Sequence, residues 1–144
     1  MISMSEALER ILRLAKRFQP NDLKYITMIL VMELGVPTHI DGFQYLVHAV
    51  PIYYENPTQS IMKDLYSKVA EMSRKDVTYT HVEQAIRNAI KIAWKKRHST
   101  DWEIYFPDNM HEKPSNVEFI SRITRLIELW QGCCERYERE VSAK

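Results

Sequence analysis

Apolar side chains recur every three or four residues along most of this chain. That spacing places side chains on one face of an α-helix, whereas a half-buried strand alternates every two residues. Only three glycines occur in 144 residues, fewer than the tight turns of a sheet-rich fold of this length would need. We therefore predict an all-α protein: a compact helical bundle containing a helix-turn-helix, with extended amphipathic helices at both termini.

The helical segments follow one another with short polar or proline-containing breaks. The predicted helices are 3–18, 23–34, 40–54, 60–73, 78–97 and a last helix capped by Ser115 or Asn116. Pro51 should kink the third helix or end its regular part near Val50. The stretch 98–114 shows no helical period and contains Pro107 and Pro114, which predicts a loop.

The pattern divides the chain into three parts: an N-terminal amphipathic helix at 1–20, a compact domain at 21–130 and an extension of the last helix at 131–144. Both terminal helices carry near-heptad apolar stripes, so they can pair with each other or with a second chain as a homodimer. The candidates for this pairing are Leu8, Ile11, Ile123, Ile127, Trp130, Cys134 and Tyr137.

Several classes of function are disfavoured by what the sequence lacks. The five histidines show no metal-ligand spacing, and there is no phosphate-binding glycine loop, nucleophile elbow or catalytic carboxylate pair. We expect no enzyme activity, no metal and no cofactor. The adjacent Cys133 and Cys134 indicate a reducing, cytoplasmic setting, and the most apolar run, 26–34, is too short to span a membrane.

Charge is distributed unevenly. The whole chain carries +1, but Arg74 to His98 holds seven Lys or Arg against Asp76 and Glu83, a local +5. Over the longer stretch 60–98, an amphipathic helix, a polar connector and a second helix follow in order. This is the arrangement of a helix-turn-helix, in which the second helix reads the major groove of double-stranded DNA.

The outward face of helix 78–97 supplies candidates for both kinds of DNA contact. Gln84 matches adenine and Arg87 matches guanine, each through two hydrogen bonds. The candidate base-reading residues are His81, Gln84, Arg87 and Asn88. The candidate phosphate-contacting residues are Lys75, Thr78, Tyr79, Thr80, Lys91, Lys95, Lys96 and Arg97. The competing interpretation is an ordinary solvated helix face.

Four blocks of the sequence carry a family resemblance. They read ITMILVMELGVPTHIDGFQYL (26–46), DLYSKVAE (64–71), VEQAIRNAIKIAW (82–94) and KPSNVEFI (113–120). In order and spacing they resemble the DNA-binding effector domain of the stage-zero sporulation protein A family of response regulators, over roughly 26–129. The resemblance implies a six-helix domain that binds a short TGTCGAA-like promoter box as a tandem dimer. It also implies contact with an RNA polymerase sigma factor.

The chain departs from that family at several points. Only some 25 residues precede the resemblance, so we expect no receiver domain. His81 and Gln84 stand where the family has basic side chains, whereas Glu83 and Arg87 match it. The connector before Val82 is about two residues longer, and Pro51 falls within an uninterrupted family helix. These departures keep an alternative open: a regulator that binds a sigma factor or a related full-length regulator instead of DNA.

Overall fold

A computed structural model describes residues 4–57, 62–106 and 112–143. Within these ranges all regular secondary structure is helical, which confirms the predicted all-α class. The α-helices are α1 (Met4–Arg17), α2 (Leu23–Glu33), α3 (Asp41–Glu55), α4 (Met62–Met72), α5 (Tyr79–Lys95), α6 (Trp102–Tyr105) and α7 (Asn116–Ser142), with a 3-10 turn at Arg97–Ser99. The predicted helix starts at Ser3 and Ser60, and Pro107, lie outside the described residues.

Two helices organise the bundle. α3 packs against α2, α4, α5 and α7, and α7 packs against α1, α2, α3 and α5. Their apolar faces are fully buried, with Leu46 and Val50 on α3 and Ile123 and Ile127 on α7 all 0% exposed. Burying each such side chain contributes about 1.5–3 kcal/mol. This shared core fixes the other helices relative to one another.

Two helix ends, the end of α2 and the start of α7, show clear capping chemistry. Gly35 follows α2 with φ of 96°, a left-handed conformation that other residues rarely adopt, and its N–H donates to the Met32 carbonyl. At the start of α7, the Glu118 N–H donates to Ser115 Oγ and the Ser115 N–H donates to Glu118 Oε1, both at 3.2 Å. This reciprocal capping box confirms Ser115 as the cap.

Of the two effects predicted for Pro51, an end of the regular helix near Val50 is wrong, because α3 continues through Pro51 to Glu55, close to the predicted end at Tyr54. A proline inside a helix costs about 3 kcal/mol, since it removes one hydrogen bond and crowds the preceding turn. Packing beyond the proline offsets that cost. Tyr53 is 6% exposed, and its hydroxyl lies 3.1 Å from Ser121 Oγ on α7.

The predicted loop at 98–114 is wrong at two places, since the 3-10 turn and α6 lie inside it. α6 is only four residues long, too short to show a period in the sequence. Its position is set by aromatic packing: the Trp102 ring stacks on Phe106 at 4.7 Å between centroids and meets Trp94 edge-on at 5.7 Å. Trp102 and Phe106 are 2% and 3% exposed.

The two terminal helices pack on each other within the chain. The Cys134 thiol lies 3.6 Å from the Phe18 carbonyl, and Gln131 Nε2 donates to the Pro20 carbonyl at 2.8 Å. Five of the seven candidates for helix pairing are thereby buried: Ile11, Ile123, Ile127, Trp130 and Cys134. Leu8 and Tyr137, 42% and 39% exposed, are the two that a second chain could reach without opening the fold.

Candidate nucleic-acid interface

α4 and α5 pack together and are joined by a connector at 73–78. The inner face of α5 is sealed, with Val82, Ile86, Ala89, Ile90 and Ala93 each 0% exposed. Ala85 and Trp94 on the same helix are partly buried and pack against this core.

α3 crosses α5 at close range. A Cβ on Gly42 would collide with the Ala85 carbonyl oxygen and come within 2.7 Å of the Ala89 Cβ. Only glycine allows this approach without a shift of the two helices. The inner face of α5 is therefore held by α3 and α4, which leaves its opposite face to solvent.

The outer face of α5, defined here as Gln84, Arg87, Asn88, Lys91 and Lys95, is exposed along its whole length. These residues recur at three- and four-residue steps, with one single step at Arg87–Asn88, so they form one stripe. A shallow groove of about 580 Å³ runs over them and is completed by Trp94 and Lys113. The structure thus brings together three of the four predicted base-reading residues, with His81 exposed one turn earlier.

Arg87 is held by an ion pair within α5. Its Nη2 lies 2.7 Å from Glu83 Oε1. The Glu83 backbone carbonyl in turn accepts a hydrogen bond from Asn116 Nδ2 at 3.1 Å, which ties α5 to the start of α7. A guanidinium carries five N–H donors, so this ion pair orients Arg87 and leaves donors for an acceptor on DNA.

The first turn of α5 is capped by the chain itself. Thr78 precedes the helix, and its side-chain oxygen accepts from the His81 N–H at 3.2 Å. Tyr79 is 39% exposed, with the Lys63 ammonium 5.0 Å from its ring centroid. Thr80 and, on the connector, Lys75 are exposed.

Beyond the outer face, Lys96 and Arg97 differ. Lys96 is exposed, whereas the Arg97 guanidinium lies 3.9 Å from the Trp94 ring centroid and donates to the Trp94 carbonyl at 2.9 Å. Arg97 is accordingly half-buried. As a candidate phosphate contact it is already oriented by its own helix.

Three residues at this surface escaped the sequence analysis. Lys63 lies over Tyr79, Asp41 Oδ2 lies 3.5 Å from His81 Nε2, and Lys113 borders the groove along α5. Lys113 also lines a cleft of about 490 Å³ between α4, α5 and the start of α7. Lys113 opens the KPSN block and could have been considered for that reason. Nothing in the sequence brings Lys63 or Asp41 to α5, because each lies on another helix.

Two other features, a metal site and a membrane-spanning helix, are not found among the residues that the structure describes. Among residues 4–57, 62–106 and 112–143, no group of three or more His, Cys, Asp or Glu is arranged to hold a metal ion. Across the same part of the chain, no helix is both long and apolar enough to cross a membrane.

The family described as sporulation initiation factor Spo0A C terminal matches residues 26–127, well over half of the 144-residue chain. The chain belongs to this family. The match begins in the first turn of α2, contains α3 to α6 and reaches the middle of α7, so it includes the connector and the outer face of α5. This family is a DNA-binding regulatory domain, which makes the chain a DNA-binding regulator of the sporulation-initiation type. α1 and the end of α7 lie outside the match.

Proposed function

We propose that the protein is a sequence-specific transcription regulator that reads the major groove with α5. The observation that carries this proposal is the division of α5 into a sealed inner face and an exposed outer face of amide and basic side chains. A recognition helix needs that division, because the residues that hold it in place cannot be the ones that contact bases.

Each part of the surface receives a role. His81, Gln84, Arg87 and Asn88 contact base edges, with Gln84 suited to adenine and Arg87 to guanine. The phosphate contacts are Lys75, Thr78, Tyr79, Thr80, Lys91, Lys95, Lys96 and Arg97, which position the protein without reading sequence. Lys63 and Lys113, which line one cleft together with Tyr79 and Arg87, extend this basic border.

Location and partners form the remainder of the proposal. We infer that DNA binding takes place in the cytoplasm. A sigma factor and a second copy of the chain on a tandem site remain predictions from the family resemblance. For a homodimer, Leu8 and Tyr137 are the accessible members of the terminal stripes.

Fluorescence anisotropy with a labelled family-type promoter box and a scrambled duplex, over a salt series, tests the proposal. We expect tighter binding to the box. Arg87→Ala should lose about 1–3 kcal/mol of the discrimination between the two duplexes, because a bidentate contact to guanine is removed. Lys95→Ala should weaken binding to both duplexes alike and reduce the salt slope by about 0.9.

Arg125→Ala is the matched control, since Arg125 is an exposed arginine on α7 outside the groove along α5. It should leave the discrimination unchanged. Equal, steeply salt-dependent binding to both duplexes would mean that only phosphate contacts form with this box. Absence of binding to either duplex at low salt would overturn the proposal.

The alternative is a regulator that acts by protein contact. The Glu83–Arg87 ion pair favours it, because it partly neutralises the arginine at the centre of the outer face. Pull-down of a purified sigma factor by a protein that fails to bind DNA would support this second function.

A further inference from the structure

A carboxylate lies beside the start of the proposed recognition helix, where DNA phosphates would approach. Asp41 is the first residue of α3, and its Oδ2 lies 3.5 Å from His81 Nε2 on α5. Both side chains are about half exposed, at 56% for Asp41 and 49% for His81. The two helices cannot separate easily here, because Gly42 brings α3 against the backbone of α5.

The imidazole of His81 is also held from a second side. The Tyr45 ring meets it edge-on, with 5.8 Å between centroids and 81° between planes. Tyr45 is 5% exposed, so its ring cannot move away without disturbing the core. Asp41 and Tyr45, four residues apart on α3, therefore fix where the imidazole lies.

The charges that act on Tyr45, the ring packed against this imidazole, are mainly carboxylates. Burial and then the Asp41 carboxylate raise the pKa of the Tyr45 phenol, Arg74 lowers it and Asp76 raises it. On α5 itself, the nearby Glu83 carboxylate is paired with Arg87. The Asp41 carboxylate beside His81 repels a DNA backbone, and a proton on the imidazole would offset that repulsion.

The number of N–H donors on a histidine depends on that proton. A neutral imidazole has one N–H and one acceptor nitrogen, whereas the cation has two N–H donors. If Nε2–H donates to Asp41, only the cation has a second donor, at Nδ1, for an acceptor oxygen of DNA. The cation can thus donate to the Asp41 carboxylate and to an acceptor on a base edge at the same time. The neutral ring has only one N–H donor, so its second nitrogen would face the other acceptor unpaired.

We propose that Asp41 is a positioning residue that holds His81 as a proton-dependent DNA contact, so that DNA binding takes up a proton at His81. This inference rests on the proposed function, since it requires the outer face of α5 to meet DNA. Imidazole changes charge between about pH 5 and 8. Because the bound state favours the protonated ring, the affinity for DNA is greatest at low pH and falls as pH rises through this window.

The test measures the Kd for the promoter box from pH 6 to pH 8 at fixed ionic strength. For the wild-type chain, Kd should rise at least about threefold over this range and no faster than about tenfold per pH unit, the limit for one proton. The salt slope should be steeper at pH 6 than at pH 8 by up to about 0.9, because the bound chain then carries one more positive charge against the DNA and displaces up to one more counterion. His81→Gln should remove both dependences and match the wild type only at pH 8.

Asp41→Asn separates positioning from simple packing. It should bind more tightly than the wild type at pH 8, because a negative charge near the duplex is gone, and its pH dependence should be weaker. A merely structural role would instead weaken binding at every pH. Two controls are matched in type: His48→Gln, a half-buried histidine further along α3, and Glu140→Gln, an exposed carboxylate near the end of α7. Both should keep the wild-type pH profile.

The outcomes distinguish this inference from the proposed function. A wild-type chain that binds the box with the same pH profile as His81→Gln, or with an affinity that rises with pH, overturns the inference and leaves the proposed function standing. A chain that binds no duplex at any pH from 6 to 8 overturns the proposed function itself. Thermal melting of each variant confirms that it is folded at the temperature of measurement.

Discussion

The α1–α7 pair and the α4–α5 pair are both built from amphipathic helices, but they expose different side chains. Between α1 and α7, the apolar stripe continues into the core, with Ile11 and Trp130 each 0% exposed. On α5 the buried stripe is equally complete, yet the opposite face presents amides and cations in a groove of about 580 Å³. The α1–α7 pair stabilises the fold. The α4–α5 pair also stabilises the fold, and in addition it exposes a polar and basic surface.

The family match follows the same division. It covers α4 and α5 completely and ends in the middle of α7, while α1 lies before it. Changes in the α1–α7 pair should therefore alter stability and leave the DNA contacts of the folded protein intact. Changes on the outer face of α5 should weaken the DNA contacts and leave stability unchanged. Substitutions that affect stability without DNA binding, or DNA binding without stability, test this comparison.

The largest effect is expected for Trp130→Ala. Trp130 is fully buried where α7 enters the terminal pair, so its removal leaves a cavity and should cost about 3–5 kcal/mol in the free energy of unfolding. Urea unfolding followed by circular dichroism measures the loss. Tyr137→Ala is the control, because Tyr137 continues the same stripe but is 39% exposed and should cost far less.

The comparison also requires that folded Trp130→Ala bind DNA as the wild type does. If the alanine variant is too unstable to measure, Trp130→Phe leaves a smaller cavity and retains a folded population. A several-fold loss of DNA affinity in a variant shown to be folded would contradict the division between the two pairs.

Periodicity in the sequence was sufficient to predict the inner face of α5 and the class of the fold. Each buried residue on that face follows the last by three or four positions, with one single step at Ala89–Ile90, and that pattern depends only on helix geometry. The cap at Ser115 was equally local, since its partner Glu118 lies three residues away. Local geometry predicts such features because the interacting groups are near neighbours in the chain.

The remaining features depend on contacts between distant residues. α6 is held by ring packing against Trp94 and Phe119, which a four-residue segment cannot reveal. The helix through Pro51 is stabilised by burial of Tyr53, which outweighs the local preference to stop. The Asp41–His81 contact joins α3 and α5 where Gly42 allows the two helices to approach closely. No short sequence pattern predicts it, because the two residues lie 40 positions apart.

Asn116→Ala should have a smaller effect than Trp130→Ala, but it should lower both the stability and the discrimination between DNA duplexes. Asn116 is 8% exposed, and its Nδ2 donates to Tyr66 on α4 and to the Glu83 carbonyl on α5, each at 3.1 Å. Removing it leaves two buried acceptors with one partner fewer and should cost about 1–3 kcal/mol in unfolding free energy. Since Glu83 orients Arg87, discrimination between the promoter box and a scrambled duplex should fall several-fold.

Ser121→Ala is the control for that variant, because it removes a hydrogen bond from α7 to Tyr53, away from α5. It should lower stability modestly and leave the discrimination unchanged. If Asn116→Ala destabilises the chain but discriminates as the wild type does, then Asn116 contributes to the core alone and the two properties are separable even at this junction.

The smallest effect is expected for Arg10→Met, which tests the polar edge of the terminal pair. Arg10 Nη1 lies 2.5 Å from Asp101 and 3.9 Å from Glu33, and the Tyr105 hydroxyl donates to the same Glu33 carboxylate. These contacts link α1 to α2 and to the segment before α6. The arginine side chain is 35% exposed, so solvent screens the pair and the loss should stay below about 1 kcal/mol.

Because screening increases with salt, the stability difference between Arg10→Met and the wild type should shrink between low and high ionic strength. Thermal unfolding at the two salt concentrations measures this difference, and Arg13→Met is the control, since Arg13 is 75% exposed and lies 3.9 Å from Glu9. A loss of several kcal/mol that does not depend on salt would mean that Arg10 positions α1 through its aliphatic stem. In that case apolar packing holds the edge of the terminal pair as well as its centre.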